Sequence, residues 1–181
     1  MKPIHYFSIA GLSVPFIYFA LKHEALDTYV NLRSAQASVR VSVVNVSNWD
    51  RWMDQSESTD GLNVDNRSVI GEDGEQPGNR IGNITLAAFG KTYTLPHEMV
   101  RDCYAPRTEP SDWRLQSEND GIYIGTMVGT GIGKTLIWWK VGTDQKVRRW
   151  VFPMQSRRSL SSLPRATDQP VETKRLISFD D

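Results

Sequence analysis

The spacing of hydrophobic positions changes character along the chain. Residues 4–21, IHYFSIAGLSVPFIYFAL, contain no Lys, Arg, Asp or Glu over 18 positions. That length lies near the lower limit of roughly 17–25 residues for a helix that crosses a bilayer. Phe7, Ile9, Leu12, Val14, Phe16, Ile17, Phe19 and Leu21 leave no polar stripe. Helices apolar all round belong in lipid or inside a large core, and a chain of 181 residues has little core to surround one. A membrane anchor is therefore expected, with lipid as the partner of residues 4–21. Tyr6 and Tyr18 suit the two headgroup levels, and Lys2 and Lys22 can snorkel. Two readings compete with it. A cleaved leader would put bulky Tyr18 of YFA (18–20) where a small residue is wanted. A buried core helix would need a polar side that this segment lacks. The short stretch before the span and the long body after it suggest a signal anchor, with the body outside the cytoplasm.

The next segment, KHEALDTYVNLRSAQAS, places Ala25, Leu26, Tyr29, Val30 and Leu32 at near-helical spacing among good helix formers. It is expected to form a helical stalk that ends near Ser38, which closes an anchor-and-stalk unit over 1–37. From there the period falls to two. Val39, Val41 and Val43 alternate, and Val44 and Val46 follow after a one-residue slip. Beta-branched residues at that spacing predict a strand, and the slip predicts a bulge.

Turn signals then recur about every ten residues. NITLAAFGKTYTL predicts a hairpin turning at Gly90-Lys91. PHEMVRDCY (96–104) predicts one short helix. DWRLQS and GIYIGTMV flank ENDG, and TLIWWKV and VRRWVFP flank GTDQK. The fold class that follows is mainly β: an antiparallel meander over 38–155, closing as a barrel or sandwich. Residues 156–181, rich in Ser, Pro and charge, are expected to be a flexible tail.

Composition sharpens this only locally. Lys plus Arg equals Asp plus Glu at 21 each, so no global charge pulls the chain to nucleic acid or an anionic surface. Residues 54–80 hold seven acids and four glycines, which predicts a solvated acidic loop. Asp60, Asp65, Glu72, Asp73 and Glu75 could offer oxygens to calcium, but the order of an EF-hand loop is absent. Residues 134–158 show the opposite bias: seven basic residues against the single acid Asp144, interleaved with three tryptophans. Alternation puts Trp138 with Lys140, and Arg148 with Trp150, on shared faces. Lys134, Trp138, Lys140, Lys146, Arg148, Arg149 and Trp150 are the candidate binding surface. Stacking rings among cations can hold single-stranded nucleic acid, and acidic headgroups or an acidic protein would suit them too. Tryptophans in a small β domain are more often core, with acids folded over the cations.

The stretch GTGIGKT (129–135) imitates a phosphate-binding loop. That pattern needs glycine at 128, where Val128 stands, and a helix after the lysine. Here Leu136, Ile137, Trp138 and Trp139 follow, which favour a strand. The stretch is expected to be a glycine-rich hairpin connection. His97 and Cys103 lie six residues apart and diverge on a helix. One cysteine cannot form an intrachain disulfide or, with His97 alone, a zinc site. Asn45, Asn66 and Asn83 open glycosylation sequons, relevant only in a eukaryotic lumen. No catalytic, cofactor or metal site is expected. The sequence reads as a non-enzymatic anchored β domain that binds a protein partner at the cell envelope. The alternative is a soluble β domain that binds nucleic acid or another polyanion through 134–158.

Overall fold

Alternation in the valine run sets the centre of the first sheet. In β2 (Ala37–Asn45) Val39, Val41 and Val43 point inward and are buried, while Ser38 and Arg40 face solvent. The computed structural model describes residues 26–46, 63–64, 67–68, 70, 78–153, 156 and 158–176. Flanking β2 are β1 (Leu26–Arg33) and β5 (Asn79–Ala88), and β6 (Lys91–Thr94) completes an antiparallel sheet of order β1-β2-β5-β6. The short pair β3 (Asn63–Val64) and β4 (Arg67–Ser68) forms a separate hairpin.

β1 corrects the expected stalk. Val30 and Leu32 are buried while Tyr29, Asn31 and Arg33 are exposed, a period of two rather than 3.6. Helix propensity is a weak preference. Here it yields to the beta-branched and aromatic run Thr28–Tyr29–Val30 and to the backbone groups of β2, which need partners. The β body thus begins at Leu26, ahead of residue 38. The valine slip does mark a bulge, but the extra residues sit in the neighbouring strands. Register shifts beside Val43, where Asp27 of β1 and Gly82 of β5 have no opposite number. Ser42, itself buried, accepts the Asn83 N–H at 2.8 Å and so satisfies a donor beside the irregularity.

The hairpin after β5 turns at Phe89-Gly90, one residue earlier than the sequence suggested. Both carry positive φ, 56° and 73°, as a two-residue turn of this hand requires, and Lys91 joins β6. The segment 96–104 holds a single 3-10 turn, His97–Met99, in place of a short α-helix.

Four successive hairpin strands build most of the second sheet: β7 (Trp113–Glu118), β8 (Gly121–Val128), β9 (Thr135–Gly142) and β10 (Lys146–Pro153). β11 (Glu172–Arg175) extends it to the order β11-β10-β9-β8-β7. The two sheets share one core, with Val30, Val41, Ile84 and Leu86 on one side and Ile122, Ile124, Trp139 and Val141 on the other. Among the described residues they remain separate sheets, and no barrel is closed. At one corner the hydroxyls of Ser34 and Ser117 meet at 3.3 Å.

The second sheet is covered on both faces, which corrects the expected flexible tail. Residues 158–176 run across its far side as a strap. β11 pairs with β10, and Leu160 and Leu163 pack over Tyr123, Leu136, Trp138 and Trp150. Leu176 enters the main core. Strands buried on both faces carry continuous apolar runs; GIYIGTMV and LIWW are such runs. Gly125 marks a tight point in this second cluster: a Cβ there would lie 2.7 Å from the Trp138 ring. Gly125→Ala is expected to cost about 1–3 kcal/mol through overpacking, read as a lower urea midpoint with unchanged slope.

Among the described residues no helix is long and apolar enough to cross a membrane. Residues 4–21 lie outside the described residues, as does most of the acidic segment, whose last two positions, Asn79 and Arg80, belong to β5.

Candidate functional site

The candidate surface grows out of the β9–β10 hairpin. Its register sets Trp138 opposite Trp150, Lys140 opposite Arg148 and Trp139 opposite Arg149. Trp138, Lys140, Arg148 and Trp150 therefore come together on the far face of the second sheet. Arg149 faces the shared core. Lys134 and Lys146 stand at opposite ends of the hairpin.

The tryptophans are not a platform for bases. Trp138 is fully buried and Trp150 is 7% exposed, both beneath the strap. Stacking requires an open ring face. The Trp150 indole N–H donates to the Asp168 carbonyl at 3.0 Å, and Tyr123 meets Trp138 edge-on at 6.5 Å. Among the described residues the Trp138 N–H finds no acceptor.

Carboxylates have answered most of the cations. Lys140 pairs with Asp120 and lies 5.2 Å from the Tyr123 ring centroid. Partial burial works against its charge, but the contacts with Asp120 and Tyr123 together outweigh it and raise the lysine pKa. Arg148 pairs with Asp144 at 2.5 Å and holds the Asp144 carboxyl below the ordinary range. Arg158 grips Asp168 through two contacts of 2.7 and 2.9 Å, and Asp168 also accepts the Arg165 N–H. Two of these acids, Asp120 and Asp168, lie outside residues 134–158. A linear charge count could not see them.

Arg149 makes the deepest contact. Its guanidinium binds the Asp102 carboxylate in bidentate fashion at 2.5 and 2.9 Å, donates to the Met99 carbonyl at 3.1 Å and approaches Glu172 at 3.4 Å. The Trp139 indole donates to the same Met99 carbonyl at 2.8 Å. Burial opposes the arginine's charge, and Asp102 more than restores it, so the pKa lies above the ordinary value. Beside them the Cys103 thiol donates to Asp102 at 3.6 Å. Burial first, then the Asp102 charge, pushes that thiol well above its usual pKa, so it is a neutral, inert group at pH 7. His97 is exposed on the 3-10 turn, away from this interior.

The GTGIGKT stretch joins β8 to β9 through a 3-10 turn, Gly131–Gly133. Thr135 opens a strand, so the helix N-terminus that a phosphate loop relies on does not follow. Among the described residues no group of His, Cys, Asp and Glu is placed to hold a metal.

One surface escaped the sequence reading because its first strand was expected to be helical. On the outer face of the first sheet, Tyr29, Asn31 and Arg33 of β1 stand beside Ser38 and Arg40 of β2. Arg40 lies over the Tyr29 ring, 3.7 Å from its centroid. The signal was available: Val30 and Leu32 alternate with Tyr29, Asn31 and Arg33. Comparison of the chain with family models, with curated proteins and with solved structures found no match.

Proposed function

We propose that the chain is a non-enzymatic, single-pass membrane protein whose β domain, outside the cytoplasm, mediates protein–protein association or assembly at the cell envelope. The observation that carries this reading is the uncharged run 4–21. Its distance from the domain adds support. Only residues 22–25 lie between the run and β1, and four residues span at most about 14 Å. Without a stalk, the domain sits against the bilayer surface. The interior chemistry also fits a binding module. Its polar groups close on one another as ion pairs, and its thiol is sealed and protonated.

The rival reading, a soluble polyanion-binding domain, draws on the same hairpin. Its support is weakened by buried rings and paired cations.

Carbonate washing tests the proposal. The full chain is expected in the membrane pellet, and a variant lacking residues 4–21 in the supernatant. An alkaline phosphatase fused after Asp181 is expected to be active, since that enzyme matures outside the cytoplasm. A full chain washed into the supernatant ends the anchor reading. If that soluble form binds an oligonucleotide with a steep salt dependence, the rival replaces it.

A further inference from the structure

We infer that the outer face of the first sheet lies flat on the anionic phospholipid headgroups of the membrane that residues 4–21 enter. The inference rests on the anchor reading and adds an orientation and a second lipid contact to it.

Three observations support it. The first is charge. Arg33 and Arg40 project from this face, and Tyr29, Asn31, Ser38, Thr85 and Ala87 beside them are uncharged. Asn31, Ser38 and Thr85 next to the arginines can hydrogen-bond phosphate and glycerol oxygens without repelling them. Between the arginines lies a shallow depression of about 150 Å³, bounded also by Asn31, Ser38, Thr85 and Ala87. Both arginines line it, and guanidinium groups suit phosphate oxygens. The Tyr29 ring beneath Arg40 keeps that side chain laid across the face.

The second observation is the placement of exposed aromatics. Tyr29 is 41% exposed and Phe89 is 48% exposed. Tyr29 stands toward the start of β1, near the anchor. Phe89 stands at the other end, because Ala88 pairs with Ala37 beside the β1–β2 turn. Phe89 also occupies left-handed backbone, φ 56°, at a turn position that Asn or Gly would fill with less strain. Neither burial nor turn chemistry accounts for phenylalanine there. Insertion at a headgroup boundary does, because amphipathic and aromatic side chains favour that level. A sheet pinned at both ends lies flat.

The third is reach. With only residues 22–25 as spacer, β1 cannot stand far from the bilayer. Of the two broad sides of the domain, the strap side is already covered by residues 158–176. The outer face of the first sheet carries no such cover among the described residues.

Site-specific fluorescence in vesicles tests this with the full chain. Cys103 is buried and resists labelling, so Ala87→Cys reports the outer face and Ala166→Cys, exposed on the strap, reports the opposite side. Each carries an environment-sensitive dye. The vesicles contain phosphatidylcholine and phosphatidylglycerol with a headgroup nitroxide quencher. Quenching at Ala87→Cys is expected to exceed that at Ala166→Cys several-fold. Arg33→Glu with Arg40→Glu is expected to abolish the difference while the protein stays in the carbonate-washed pellet. Equal quenching of the two probes in a protein that resists carbonate overturns the inference and leaves the anchor intact. Quenching undiminished by the charge reversal also overturns it. Release of the unmodified chain by carbonate overturns both readings.

Discussion

Asp102→Ala lowers the stability of the domain by about 3–5 kcal/mol, the usual cost of leaving one member of a buried ion pair alone. The side chains of Arg149 and Asp102 are 6% and 3% exposed, so water cannot replace the lost partner. Glu172, 3.4 Å away, is too distant to take over both guanidinium contacts. Among the described residues the Arg149 Nε already lacks an acceptor, and the variant leaves further donors stranded beside it. Urea unfolding followed by tryptophan fluorescence measures the loss, with Trp139 hydrogen-bonded to the same Met99 carbonyl as a local reporter. Removing both charges, with Asp102→Leu and Arg149→Met, is expected to recover most of it, since buried pairs are often replaced by apolar residues at little cost. A single variant as stable as the parent would mean that this interior is wet.

Truncation after Met154 gives the second large effect. It removes β11 and the strap, uncovering Trp138 and Trp150 and withdrawing Leu176 from the core. Each fully buried Leu is worth about 1.5–3 kcal/mol. With Leu160 and Leu163 only partly covered, the loss is about 4 kcal/mol. A domain holds 5–15 kcal/mol in all, so the remnant sits near its threshold of folding. It also presents β10 as a bare edge next to an apolar patch, a template for association. Dye binding, a lower thermal midpoint and self-association on size exclusion are the expected readouts. A monomeric remnant with the parental midpoint would show that the strap merely rests on the sheet.

How far the sequence disclosed this architecture varies with the range of the deciding contacts. Hairpins announce themselves locally: Asn119-Asp120, the 143–145 turn and the glycine-rich connection before Lys134 all fall where turn chemistry indicated. Phe89-Gly90 was displaced by one residue because a strained Phe occupies a position that rules of thumb reserve for Asn or Gly. β1 was misread because Ala25, Leu26 and Leu32 suit a helix in isolation, and only the waiting edge of β2 decides for a strand. Residues 158–176 looked like a tail because one strand of four residues and a few leucines carry no period. Their order comes from the tryptophans they cover. At the candidate surface, alternation correctly grouped Trp138 with Lys140 and Arg148 with Trp150. It could not reveal Asp102, Asp120 and Asp168, which arrive from distant parts of the chain to neutralise it.

The succession of neighbouring hairpins from β7 to β10 has a kinetic consequence. Every pairing among those strands closes a short stretch of chain, whereas β2 reaches β5 only across the segment between Asn45 and Asn79. Short closures are entropically cheap and fast. The second sheet should thus act as the nucleus, and mutations in its turns should slow refolding. Those in β1 and β2 should chiefly hasten unraveling.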